Sequence, residues 1–310
     1  RSDGPGWSDG ALNPAPSLGW IGVVRLGLVQ SSIGAIVMLA TSLLNRIMVV
    51  EYALPAALPA GLVAWHYAVQ LSRPAWGHGS DKGRRRTPWI IGGMAVLALG
   101  ALLAIQSVAF LATRSFAGYA LAVLAFTLIG AGVGAAGTSL LALMATRVAP
   151  ARRAAAAATT WIMMIAGIVV TAGVVGNLIE PYSLERLTLI ASCVAGGAFA
   201  LATLAVWGVE GPARPGPIAD AAPPTDFRTA LREMWADDEA RRFTAFVFLS
   251  MLAYSMQDLI LEPFAGLLFG FTPGASTKLS GLQHAGVLAG MILVGVGAGA
   301  FGGRTPEGMK

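Results

Sequence analysis

SFAGYALAVLAFTLIGAGVGAAGTSLLALMAT, residues 115–146, runs 32 residues without an Asp, Glu, Lys or Arg. At 1.5 Å rise per residue, a helix of this length exceeds the roughly 30 Å hydrocarbon core of a bilayer. It shows neither a polar helical face nor the two-residue alternation of a membrane barrel strand. Working outward, comparable uncharged stretches occupy 26–45, 52–72, 87–113, 154–179, 187–209 and 279–303, and 243–277 is apolar apart from Asp258 and Glu262. Eight spans are therefore predicted in an all-α, polytopic membrane helix bundle. Only 12% of the 310 residues are charged, about half the usual share for a soluble domain. Cys193 is the only cysteine, so no disulfide framework exists within the chain.

The basic residues set the orientation. With the N-terminus inside, the cytoplasmic connections hold Arg73, Lys82, Arg84, Arg85, Arg86, Arg147, Arg152, Arg153, Arg214, Arg228, Arg232, Arg241, Arg242 and Arg304, against Arg46, Arg114, Arg186 and Lys278 outside. This predicts a multi-pass inner-membrane protein with a cytoplasmic N-terminus. Residues 1–19 lack the charged start and apolar core of a secretory signal. The chain starts at Arg1 and stops at Lys310, just past the eighth span, which reads as truncation.

Five segments follow: 1–25, an N-terminal cytoplasmic or interfacial stretch; 26–209, a six-helix half; 210–242, a cytoplasmic linker; 243–303, the first two helices of a second half; and 304–310, the start of a loop. The linker is Pro/Ala-rich to Pro224, and beyond it Phe227, Leu231, Met234 and Trp235 recur at helical spacing, as on an interfacial amphipathic helix. Six helices, a charged loop and a second set is the layout of a major facilitator transporter, built from internal repeats. Span one carries Asn45-Arg46 with Glu51 and Pro55 beyond; span seven carries Gln257-Asp258 with Glu262 and Pro263.

Gly77, Asp81 and Arg84-Arg85-Arg86 follow span two in a pattern similar to the facilitator loop signature, one residue short between Lys82 and Gly83. Asp81 is suited to accept hydrogen bonds from a neighbouring helix N-terminus, and the arginines to hold anionic lipid; plain positive-inside charge is the simpler reading. Gly132-x-Gly134-x-x-Gly137 has dinucleotide-fingerprint spacing but lies inside a span, away from any strand-to-helix turn. Gly130 with Gly134, and Gly295 with Gly299, read better as small faces for close helix packing. Ionisable groups in the bilayer are costly and point to function. Arg46, Glu51, Asp258 and Glu262 are the candidates, with Arg46 expected to pair with Asp258 or Glu262 across the two halves. His66 and His284 are either packed core histidines or ligands to a metal-bearing tetrapyrrole. No protein-only metal site and no catalytic constellation stands out, and neither an enzyme nor a nucleic-acid partner is expected.

The runs Asn45–Glu51 with Ala53-Leu54-Pro55, Trp76–Asp81 with Arg84–Pro88, and Gln257–Pro263 resemble the PucC/LhaA group, the bacteriochlorophyll-delivery branch of the major facilitator superfamily. The resemblance covers roughly 20–303. It implies a twelve-helix fold of which eight helices are present here. It also implies a light-harvesting assembly factor that assists insertion of antenna polypeptides and hands over bacteriochlorophyll or a late precursor. Its implied partners are the alpha and beta antenna polypeptides, the reaction-centre antenna complex, pigment-synthesis enzymes and membrane lipid. Two alternatives remain open: a proton-coupled secondary transporter of a small solute, and a purely structural antenna-associated subunit.

Overall fold

The computed structural model describes residues 17–82, 85–211 and 227–301. Regular structure among them is helical throughout: α1 Trp20–Glu51, α2 Ala57–Val69, α3 Arg73–Lys82, α4 Thr87–Ala112, α5 Phe116–Arg147, α6 Arg153–Leu178, α7 Leu184–Val206, α8 Phe227–Ala236, α9 Asp238–Phe269 and α10 Pro273–Phe301. Seven of these helices are long and apolar enough to cross a membrane. The chain is a multi-pass membrane helix bundle. Residues 1–16, most of the linker (212–226) and 302–310, with Arg214 and Arg304, lie outside the described residues, as do Gly83 and Arg84.

Three expected boundaries move. Span one is six residues longer at each end than the uncharged stretch 26–45, because Arg25, Arg46 and Glu51 all ride on α1. The second span does not start at 52. After α1 the backbone turns through Ala53 at φ 48 and Leu54-Pro55, and the 13-residue α2 runs on through the tight turn Gln70–Ser72 into α3. Alone, α2 is about 20 Å long, shorter than the hydrocarbon core. Spans seven and eight divide at 270–272, where Gly270 takes φ 65 and ends α9. Gly tolerates this left-handed turn at no steric cost. Lys278 therefore lies on α10, not in a loop.

The hub is α1: 83% of its apolar window is buried, against 17% and 0% for those of α10 and α9. It packs on α6 and α7, and its C-terminal turns meet α9 and α10. The most extensive helix pair is α4 with α5, and glycines set its spacing. A Cβ at Gly132 would stand 2.5 Å from the Leu97 amide nitrogen and 2.7 Å from the Gly93 carbonyl oxygen. Small residues at such crossings let backbones approach where dispersion, not the hydrophobic effect, holds helices together.

Polar ties gather at the bundle ends. Arg25 donates to the Ala205 carbonyl at 2.9 Å and to that of Trp207, where the α7 dipole favours a cation. The Glu210 carboxylate accepts from the amides of Arg86 (2.5 Å) and Thr87 (2.9 Å) at the start of α4. The Asp81 side chain, read as suited to such a helix N-terminus, lies outside the described residues; here Glu210, from a segment read only as linker, supplies a carboxylate. Glu210→Ala is expected to cost about 0.5–2 kcal/mol. The check is a lower thermal midpoint with faster amide exchange at the start of α4; unchanged exchange there would show that the clasp contributes nothing.

Candidate functional site

The C-terminal third of α1 is not a regular α-helix. Two π-helical turns, Leu39–Leu43 and Ile47–Glu51, flank Leu44–Arg46, with the Leu44 amide bonded to the Leu39 carbonyl and the Tyr52 amide to that of Ile47 at 3.2 Å. Such bulges recur at functional sites. This one carries Ser42, Asn45 and Arg46, all buried, and Glu51 at the rim. Arg46 forms an ion pair with Glu51 and donates to the Phe271 carbonyl oxygen at 2.7 Å. The α-helical repeat would set residues five apart about 140° around the axis; the wider turn brings them to one side.

The expected pairing of Arg46 with Asp258 or Glu262 is therefore corrected. Arg46 finds its anion on its own helix and reaches the second set through a backbone carbonyl at the α9–α10 turn. Glu262, 1% exposed, is held by hydroxyls instead: Ser42 donates to Oε1 at 2.5 Å and Thr277 to Oε2 at 3.4 Å, with Ser280 3.3 Å from Ser42. The next residue, Pro263, sits inside α9. Proline has no N–H for the carbonyl four residues back. That carbonyl belongs to Leu259, and Asn45 donates to it at 2.7 Å. The role of Asn45 was missed, although an asparagine on one span and a mid-helix proline on another were both visible.

Asp258 faces a groove of about 190 Å³ between α1, α2 and α9, lined by Thr41, Val63, Tyr67, Met256 and others. Behind it, His284 Nε2 lies 3.7 Å from Asp258 Oδ1, and His284 Nδ1 is 2.9 Å from the Ser280 carbonyl oxygen. Tyr254 packs edge-on to the His284 ring at 6.3 Å. At the rim of the site, burial pushes the Tyr182 phenol above its ordinary range, beside Tyr52.

A magnesium tetrapyrrole needs an open imidazole nitrogen. His66 offers none: Nδ1 is 3.3 Å from the Val63 carbonyl and Nε2 is 2.9 Å from Gln70 Nε2. His284 Nε2 meets Asp258 too closely for a macrocycle to enter between them. The two histidines do not fit as axial ligands in this arrangement.

The remaining sites divide. A Cβ at Gly130 would come within 2.6 Å of the His66 carbonyl, and one at Gly134 within 3.2 Å of the Trp76 ring, so both glycines seat α2 and α3 against α5. Gly295 has nothing within 4 Å of its Cβ position, so no close crossing occurs there among the described residues; Gly299 lies on the same helix. Gly77 and Asp81 lie on α3 rather than in a loop; Arg84 lies outside the described residues; and Arg85 and Arg86 lead into α4, with Arg86 also donating to Thr146 at 3.1 Å. A second groove, about 300 Å³ and apolar, opens between α3, α4 and α5, walled by Trp76, Trp89, Gly92 and Ala135.

Among known proteins, the chain is 56% identical over 280 residues to the bacteriochlorophyll synthase 44.5 kDa chain of Rhodobacter capsulatus, covering 90% of this chain and 65% of that one. It is 30% identical to protein PucC of the same organism, over 86% of this chain and 61% of the relative, and 28% identical to protein PucC of Cereibacter sphaeroides, over 87% and 61%. The chain thus spans less than two thirds of these relatives' length. The family model described as PUCC protein matches residues 43–303, which takes in α1 from Leu43 onward, the Trp-walled groove and the α9–α10 pair. With Arg46, Glu51, Asp258, Glu262 and the Trp-walled groove inside that match, the chain belongs to the PUCC protein family.

Proposed function

We propose that this chain belongs to a light-harvesting assembly factor of a phototrophic bacterium, which handles bacteriochlorophyll or a late precursor while antenna polypeptides insert. The similarity to a bacteriochlorophyll synthase chain and to PucC proteins supports the class of ligand. One structural observation favours an apolar ligand over a polar solute. Four mid-span hydroxyls are spent on their own helices: Ser32 donates to Leu28, Thr41 to Val37, Ser107 to Ala104 and Thr127 to Val123. Such local bonds leave no hydroxyl-lined passage among these residues. The Trp76–Trp89 groove is the apolar surface suited to the ligand, without a nitrogen ligand in it. The relative's name speaks of a synthase; we read this chain as assisting assembly rather than catalysing a reaction. The division into halves 26–209 and 243–303, the cytoplasmic N-terminus and the inner-membrane location belong to the same proposal.

The test is the full-length protein purified in mild detergent, with its absorption recorded from visible to near infrared. A pigment band that survives His66→Leu and His284→Leu but falls with Gly92→Leu is expected. Gly92 has open space at its Cβ, so that change fills the groove without a backbone clash. Absence of any band, with solute uptake into proteoliposomes, would overturn the reading in favour of a transporter.

A further inference from the structure

His284 Nδ1 lies 2.9 Å from the Ser280 carbonyl oxygen. A carbonyl oxygen can only accept, so Nδ1 carries a hydrogen. In the neutral ring Nε2 is then a bare lone pair, and Asp258 Oδ1 lies 3.7 Å from it. That oxygen is shut off from the surface and has no hydrogen-bond partner among the described residues. Two acceptors facing each other in a buried site repel, and an ionised carboxylate left there without a donor is costly. One additional hydrogen on this axis removes both penalties: on Nε2 it makes an imidazolium–carboxylate pair, and on Oδ1 it makes a carboxylic acid facing the lone pair.

We propose that Asp258 and His284 hold one proton between them and form an exchangeable proton site inside the membrane part of the protein. The groove of about 190 Å³ on the other side of Asp258 is the route of exchange, since Tyr67 and Ser255 bring hydroxyls to an otherwise apolar wall. The neighbouring titratable groups are Tyr67 on α2, Tyr254 and Glu262 on α9 and, beyond Glu262, Arg46 on α1. Glu262 is already held by Ser42 and Thr277, and Arg46 by Glu51. Neither contacts the Asp258–His284 axis in a way that would supply its missing donor. Proton loss would set two acceptors against each other at the junction of α9 with α10 and loosen it. The site is independent of what the Trp-walled groove carries.

The experiment uses the full chain in nanodiscs with nitrogen-labelled histidine, the His284 signal being assigned by its loss in His284→Gln. Infrared difference spectra of the wild type against Asp258→Asn report a protonated carboxyl. The expected result at neutral pH is either a doubly protonated His284 or a carboxylic-acid band lost in Asp258→Asn. The variant amide can itself donate to Nε2, so Asp258→Asn is expected to fold and to leave His284 as the neutral Nδ1–H form. A neutral His284 in the wild type together with an ionised Asp258 would overturn the proposal. If Asp258→Asn fails to fold, carbon-labelled aspartate in the wild type gives the same carboxyl readout and separates the same two outcomes.

Discussion

Arg46→Met is expected to destabilise the folded chain by about 1–3 kcal/mol, mainly the cost of leaving the Phe271 carbonyl without its donor, since Glu51 at the rim stays partly solvated. The side chain is 1% exposed, pairs with Glu51 and donates to the Phe271 carbonyl at 2.7 Å. Methionine fills much of the same volume, so packing loss is small and the effect reports the orphaned carboxylate and carbonyl. Arg46→Lys is expected to fall between, because a compact ammonium cannot serve both acceptors of a forked guanidinium. Thermal unfolding in detergent, read by helical signal, measures the ranking. Adding Glu51→Gln to Arg46→Met removes the stranded charge and is expected to recover part of the loss, a coupling that a double-mutant cycle isolates. A wild-type midpoint for Arg46→Met would show that this pair contributes nothing to holding α1 against the α9–α10 turn.

Gly132→Leu is expected to prevent folding or to remove most of the stability. The added Cβ would lie 2.5 Å from a backbone nitrogen and 2.7 Å from a backbone oxygen of α4. Backbone atoms cannot move aside as a flexible side chain does, so α4 and α5 must separate along their length, beyond the roughly 1–3 kcal/mol of ordinary overpacking. Gly196→Ala is the control: it is exposed, with nothing within 4 Å of its Cβ position, and helix propensity favours alanine by about 1 kcal/mol. Membrane-fraction yield and melting midpoint separate the two. Equal yields for both variants would mean that the α4–α5 spacing tolerates a side chain.

Much of the molecule was readable from residue order. The apolar runs located all the long spans; the second run held only a short helix, because Pro55 and the left-handed Ala53 delay its start to 57. Gly130 and Gly134 were legible as a packing face because small residues four apart line one side of any helix. Gly295 was equally legible by that rule and makes no close crossing here, since spacing says which residues share a face and nothing about what faces them. Arg46, Glu51, Asp258 and Glu262 were identifiable as the charges a bilayer would tolerate only for a purpose.

Their partners were not legible. Pairing across helices depends on each helix's rotation about its axis, and two π turns in α1 change that rotation in a way hydropathy does not encode. The expectation that Arg46 meets Asp258 or Glu262 assumed a regular helix facing span seven. The distorted helix instead supplies its own anion at Glu51 and leaves Glu262 to hydroxyls from Ser42 and Thr277. Asn45 answering the carbonyl freed by Pro263, and Glu210 answering the amides that open α4, likewise join residues more than a hundred positions apart. Sequence alone determined that this chain is a polytopic helical membrane protein, and which of its residues carry charge into the bilayer, because transfer free energy adds up locally along the chain. Only the tertiary structure decided which groups those charges meet, because hydrogen bonds form over about 3 Å and depend on how the helices turn and pack.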